Sequence, residues 1–584
     1  MEEDRNRVPN RLMNVNLRRR SFLLGSVGVI GTLLAACGGN KSTTVPTTAS
    51  GGQATTSSGG ATSTSQSSAA TGTSSQGVRG VEIPEFDNPK AGAPSGGQPD
   101  ELVIAWGAYQ FTTHGIDPQL HVGTIAEAQL RHMYEPLVKF ERDLQTISPV
   151  LATSWERVDD LTMQFKLREG VKYHNDEPFN GDAVKFSVLR PLSDETPGDA
   201  KSTYAIISDV EVVDDHTVNV KTSSPDPALL ARMTGFHMTM VAPKWAAQGP
   251  ETVSKEANGT GPYKFVSWSP NEDLVIEANE DYWGDVPSIK KVRLTTIVEQ
   301  STRVAALRSG QVHVAKDMPP EELDGINASG RARAVRAVSN RVPFYYITVD
   351  AEPYTKKEVR QAINYAANVQ GVIDAVLLGN GHRVSTMLPI WCFGFDSSIE
   401  PYPNDPDKAK ELLTQAGYPN GIDAKIWHIQ GRYPKDKEVA EAMAQEMANA
   451  GIRCTPELRD SAALTDLEKS KQTPGMEFAS WGNWFFDADN TFVPLLGKQS
   501  YDQYNDYRRP YYSDELEKII QDARVELDVN KRLDLYSQAQ KFIYDDAPCL
   551  YMYQLVDMFG VDNWVLWEPR HDEMMWAHEM KWNA

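Results

Sequence analysis

The sequence predicts an α/β protein with mixed sheets and flanking helices, and three observations carry that reading. Two hairpin patterns predict antiparallel sheet. Over residues 155–167, Met163, Phe165 and Leu167 alternate with polar neighbours after an Asp159-Asp160 turn, and residues 210–220 repeat the design. A strand over 422–429, a helix over 437–450 and a strand over 452–457 predict a parallel pair, because such a crossover returns the second strand in the direction of the first. Finally, the chain of 584 residues has room beyond residue 100 for two or three domains with large cores.

Taken in order, the chain begins with an export pattern. Residues 17–37 give a basic head, an apolar run over 22–36 and a small-residue end, which is a secretory signal too short for a stable membrane span. Arg19-Arg20 before Ser21, Phe22 and Leu23 resembles the twin-arginine export motif, and Leu34-Ala35-Ala36-Cys37 resembles a lipobox in which Cys37 is acylated. A protein lipid-anchored to the extracytoplasmic face of the cell membrane is expected. Residues 38–85 contain no aromatic side chain and consist mainly of Ser, Thr, Gly and Ala. Such a segment buries too little apolar surface to offset its ordering entropy, so a disordered tether is expected over 38–99. A coil of the aromatic-free length spans about 40 Å. No later stretch approaches 18 consecutive apolar residues.

The body of the chain is acidic. The whole sequence carries a formal charge of −21, and residues 1–36 hold six basic against three acidic side chains, so the exported part is more acidic still. That balance argues against nucleic acid or anionic lipid as a partner. Beyond Cys37 there are Cys392, Cys454 and Cys549, which allow either one disulfide with one buried thiol or three buried thiols. Asp405 is placed to cap a helix starting at Pro406, with Leu412 and Leu413 inside, Gly417 at its end and Pro419 beyond. There is no Gly-x-Ser-x-Gly elbow, His-Glu-x-x-His helix or phosphate-binding Gly-x-x-x-x-Gly-Lys loop. His571 and His578 stand seven apart and fit no familiar metal motif.

The run 151–179 resembles the signature of family 5 extracellular solute-binding proteins, the dipeptide, oligopeptide and nickel receptors of ABC importers. Further blocks follow the order of that family: 132–137 (His-Met-Tyr-Glu-Pro-Leu), 259–263 (Gly-Thr-Gly-Pro-Tyr), 281–284 (Asp-Tyr-Trp-Gly), 302–310, 359–366 and 416–421. The likeness covers about residues 100–570. It implies a two-lobed, periplasmic-binding-protein type II fold with an extra domain, a three-domain, cluster C-like arrangement. The expected division is 100–145, 255–345 and 553–584 for a discontinuous first lobe, 146–254 for the extra domain and 346–552 for the second lobe. The implied function is capture of a peptide or non-peptide solute such as an oligosaccharide by hinge closure, and delivery to ABC permease subunits. No catalysis, metal or cofactor is implied, and a monomer is expected. An exported hydrolase or an adhesion protein is the alternative class, and neither accounts for the ordered blocks.

The stretch 481–490 holds four aromatic and two acidic side chains in a chain that is 9% aromatic. In peptide-binding relatives this region carries a Trp and then an Asp that pairs with the ammonium group of the peptide. Trp481 matches the Trp, but Trp484 stands where that Asp is expected, and an indole face attracts a cation by only about 0.5–2 kcal/mol. Aromatic faces in a wet cleft suit flat solutes, sugars included. Trp481 and Trp484 are therefore candidate ligand-binding residues, with Asp487 in the following turn, whereas Phe485 and Phe486 are expected in the core. By matching position Asp117, the span Phe236 to Met240, Trp391 and Phe393 join the cleft, and Arg383 is placed to pair with a ligand carboxylate. Gly259 and Gly261 are expected to turn the chain into a strand.

Overall fold

A computed structural model describes residues 84–584, save 109–113, 122, 195, 197–199 and 505–510, together with a two-residue strand at Ser74–Ser75. Arg19, Arg20 and Cys37 lie outside the described residues.

Both predicted hairpins form, and they join one sheet. Ala152–Asp159, Thr162–Leu167, Thr217–Thr222 and Ile207–Asp214 make four antiparallel strands in that order, with Trp155 opposite Phe165 and Val210 opposite Val220. The crossover also forms. Asp405 accepts the backbone N–H of Lys408 at 2.9 Å and starts the helix Pro406–Gln415, which buries Ala409, Leu412 and Leu413. Gly417 follows at φ 90°, where a side chain would be strained. Ile422–Ile429 then pairs in parallel with Ile452–Arg459 across the helix Asp436–Ala448. Met476–Gly482 lies parallel to Ile422–Ile429 and antiparallel to Arg341–Ile347, and Cys549–Tyr551 completes a mixed five-stranded sheet.

A third sheet has eight strands. It runs from Ala332–Val338 through Tyr553–Asp562, Val314–Lys316, Leu102–Trp106, Lys291–Thr296 and Asp273–Ala278 to Tyr263–Trp268, and Gly381–Arg383 pairs with Tyr553–Asp562. The chain leaves this sheet at Val338 and enters the five-stranded one at Arg341; it returns between Tyr551 and Tyr553. The two crossings touch, since Ser339 N donates to Leu555 O at 2.7 Å and Gln554 Nε2 to Ser339 O at 2.5 Å. The expected boundary between 345 and 346 therefore cuts a strand, because Arg341–Ile347 belongs wholly to the five-stranded sheet.

Residues 86–92 do not behave as the far end of a tether. Asn88 exchanges two hydrogen bonds with the backbone of Arg336 at 2.7 and 2.8 Å, and Phe86 packs under the guanidinium of Arg336 at 4.6 Å. Ala332–Val338 ends the path of the eight-stranded sheet, and the amide of Asn88 covers part of its open edge. Cys392, Cys454 and Cys549 are all free thiols, the first and third buried.

Three of the sequence blocks meet at one carboxylate. Glu135 accepts from Tyr282 Oη at 2.6 Å, Trp283 Nε1 at 2.9 Å and Thr260 Oγ1 at 2.8 Å. Burial pushes this carboxyl above its usual range, and the three donors oppose the shift. Gly259 and Gly261 do enter the strand Tyr263–Trp268. A Cβ there would stand 2.1 Å from Met133 O and 2.7 Å from His132 O, so close approach of two backbones requires glycine.

Candidate functional site

The strand Met476–Gly482 runs into a tight coil that starts the helix Asp489–Leu496. A proline inside that helix accounts for the position of one tryptophan. Pro494 has no N–H to offer the carbonyl of Asn490 one turn earlier, and Trp481 Nε1 donates to that oxygen instead, at 2.7 Å. Trp484 packs beside it, with ring centroids 5.2 Å apart, and its backbone N–H donates to Asn490 Oδ1 at 2.9 Å. The indole N–H of Trp484 is buried and has no hydrogen-bond partner among the described residues. Phe485 and Phe486 are buried, the latter edge-on to Phe140 at 4.9 Å.

A cavity of about 370 Å³ opens beside this coil, walled by Trp481 and Trp484 together with Tyr346 and Glu477, which are paired across neighbouring strands. Glu477 and Trp481 lie four residues apart on one strand, so they share a face about 13 Å long. Its other walls include Thr124, Arg232 and His237, which lie outside the five-stranded sheet. Burial lowers the His237 imidazole to about 4, so it is neutral at pH 7.

The floor is a chain of buried ions. Arg232 Nε lies 2.8 Å from Asp226 Oδ2, and another guanidinium nitrogen of Arg232 bonds Asp489. Arg524 Nε approaches the second oxygen of Asp489 at 3.0 Å. Burial works against the charge on Asp489, but Arg232, Arg524 and Arg532 outweigh it and hold the carboxyl below its usual range. Behind this floor Arg532 grips Asp487 with two bonds of 2.6 and 2.8 Å. At the rim stand two further cations, Arg432 and Lys471, and neither forms an ion pair among the described residues.

Of the ligand-binding candidates named from sequence, Trp481, Trp484 and, within the span Phe236 to Met240, His237 line the cavity. Asp487 is turned away, because its carboxylate closes the coil through Asp489 N and neutralises Arg532. Phe393 lies under the same guanidinium at 4.7 Å, and Trp391 is buried against His571 at 5.0 Å. Asp117 is buried and paired with Arg190 at 2.6 Å. Phe236 packs in the core one residue before His237, which does line the cavity. Arg383 donates to Tyr402 O at 2.7 Å from a strand paired with Tyr553–Asp562. Sequence reasoning missed Arg232, Asp489, Arg524, Arg432 and Lys471. A signal existed for Arg432, which follows the carboxyl end of a parallel strand, where α/β sheets bind ligands.

Residues 146–503 match the family described as bacterial extracellular solute-binding proteins, family 5 Middle, and the chain belongs to that family of extracytoplasmic, substrate-binding receptors of ABC importers. It is 29% identical over 461 residues to heme-binding protein A of Haemophilus influenzae, covering 74% of this chain and 84% of that one. It is 28% identical to the dipeptide-binding protein of Escherichia coli, covering 75% and 86%. Among solved structures it resembles the ABC transporter-associated periplasmic binding protein DppA of Helicobacter pylori in complex with the peptide STSA. That likeness has a TM-score of 0.72 and 26% identity, and covers 83% of this chain and 98% of that one. The type II, multidomain fold expected from the sequence blocks is borne out.

Proposed function

We propose that the cavity beside Trp481 and Trp484 captures the imported solute, and that closure about the paired crossings at 339–340 and 552 presents the loaded protein to its permease. The observation that carries this reading is the cavity itself, whose walls come from both sides of the first crossing: Thr124, Arg232 and His237 precede it, and Tyr346, Trp481 and Asp489 follow it. A solute touching both sides favours the closed form by whatever contacts only that form provides. Dividing the chain into lobes at those crossings, with the four-stranded sheet as the extra domain, keeps every strand whole. Two adjoining indoles at one end of a strand face about 13 Å long suit a short peptide, a flat molecule or an oligosaccharide. The relatives named for heme and for dipeptides support a solute of that size. Export through Arg19 and Arg20, acylation at Cys37 and action as a monomer belong to the same proposal.

The test is native mass spectrometry of the full chain purified without refolding, followed by denaturing release and identification of any bound mass. A released peptide, sugar or flat organic molecule supports the reading, with loss of that mass in Trp481→Ala placing it in this cavity. Retention of the mass in a folded Trp481→Ala, Trp484→Ala double variant places the solute elsewhere.

A further inference from the structure

The cavity is lined by five cations, Arg232, Arg341, Arg432, Lys471 and Arg524, against two carboxylates, Glu477 and Asp489. In a chain of net charge −21, a wall with that balance is unusual. More decisive is which charges are already satisfied. One oxygen of Asp489 bonds Arg232, and the other is buried with Arg524 Nε 3.0 Å away. Glu477 accepts the hydroxyl of Thr473 at 2.6 Å. Arg341 is paired with Glu573 at 3.1 Å and bonds Thr124 at 2.8 Å. What remains is cationic. Among the described residues Arg432 and Lys471 have no ion pair; the adjacent acid, Asp436, acts on Arg432 through its charge alone, and its Oδ2 accepts the backbone N–H groups of Arg432 and Tyr433 at 2.8 and 2.9 Å.

We propose that this cavity selects an anionic solute, whose carboxylate is met by Arg432 and Lys471 while a flat or polyhydroxylated body lies along Trp481 and Trp484. The inference rests on the cavity being the solute site. Its physical basis is that an ammonium group entering here meets carboxylates that already have partners and two cations without an ion pair among the described residues, whereas a carboxylate can pair with Arg432 and Lys471. The two cations lie at different places on the wall. Lys471 stands just before Thr473, whose hydroxyl bonds Glu477, and Arg432 adjoins Tyr433, whose hydroxyl bonds Ser480 Oγ at 2.7 Å. A solute with two acidic groups, or one long enough to reach between them, uses both.

The experiment compares two charge series of near-constant shape by titration calorimetry on the full chain. The first is indole-3-acetate, indole-3-acetamide and tryptamine; the second is glucuronate, glucose and glucosamine. The expected result is that within at least one series the acid binds at least about tenfold more tightly than the neutral and cationic members. The Arg432→Gln, Lys471→Gln double variant, shown to be folded by an unchanged melting temperature, is expected to reduce that preference to less than about threefold. Equal or tighter binding of the amide or amine overturns the charge assignment while leaving the cavity as the solute site. A preference for acid that survives the double variant overturns the role of these two residues. Silence from all six compounds in the unaltered chain counts against the cavity as solute site, and the charge inference falls with it.

Discussion

The floor and the rim of the cavity use the same residue types to opposite ends. On and behind the floor, Asp226, Asp487 and Asp489 are matched by Arg232, Arg524 and Arg532, nearly all of them buried. Burying such charges is costly unless each is paired, and here each is. At the rim, Arg432 is exposed and Lys471 half-buried, and neither forms an ion pair among the described residues. Water pays for what the fold leaves open there. The difference teaches that an arginine in a binding cavity is informative only once its counter-charges have been traced. Arg232 is the more conspicuous, yet its charge is consumed by the structure.

Four changes would break or sharpen that contrast. Arg532→Ala removes the partner of the Asp487 carboxyl, which burial already raises above its usual range, and is expected to lower stability by about 3–5 kcal/mol, seen as a shifted urea midpoint. A midpoint unchanged from wild type would mean the floor pair is not what holds the coil to the helix Val529–Asp546. Asp489→Asn leaves Arg232 and Arg524 short of one charge. A loss of about 2–3 kcal/mol is expected, together with tighter binding of indole-3-acetate; weaker binding would contradict the electrostatic account.

The third change concerns pH. Burial lifts the Asp436 carboxyl from 3.8 to about 6. A raised carboxyl contributes its full stability below about 4 and loses it as pH rises through 6, so this group makes the fold less stable at pH 8 than at pH 5. Asp436→Asn keeps an acceptor for Arg432 N and Tyr433 N and is expected to gain about 1–3 kcal/mol at pH 8 relative to wild type, with little gain at pH 4. An equal effect at both pH values would show that the carboxyl titrates normally. The smallest effect expected is that of Trp484→Ala, which should weaken binding of the released solute by somewhat more than 1 kcal/mol in a folded protein. An unchanged dissociation constant would remove Trp484 from the contact surface.

Legibility in the sequence followed the range of the interactions. The Asp405 cap, the two Asp-Asp hairpins and the parallel crossover could be read because each is settled within about forty residues by periodicity and turn chemistry. The indoles of the site were legible for a similar reason, since Trp481 and Trp484 occupy one coil with Asn490 and Pro494. Asp487 was misplaced because its partner, Arg532, lies 45 residues further on, and nothing local says that a carboxylate in a turn will face inward. Asp117, Trp391, Phe393 and Arg383 likewise lie outside this cavity, each held by a neighbour that only packing reveals.

By itself, then, the sequence determined the α/β class, the family, the order of its blocks and the aromatic half of the cavity. Only the tertiary structure decided which charges are spent and which remain. Arg232 meets Asp489 across 257 positions, and Glu135 gathers Thr260, Tyr282 and Trp283 from 125 to 148 positions away. Whether a charged side chain is available to a solute depends on the sum of such distant pairings, which composition and spacing do not encode.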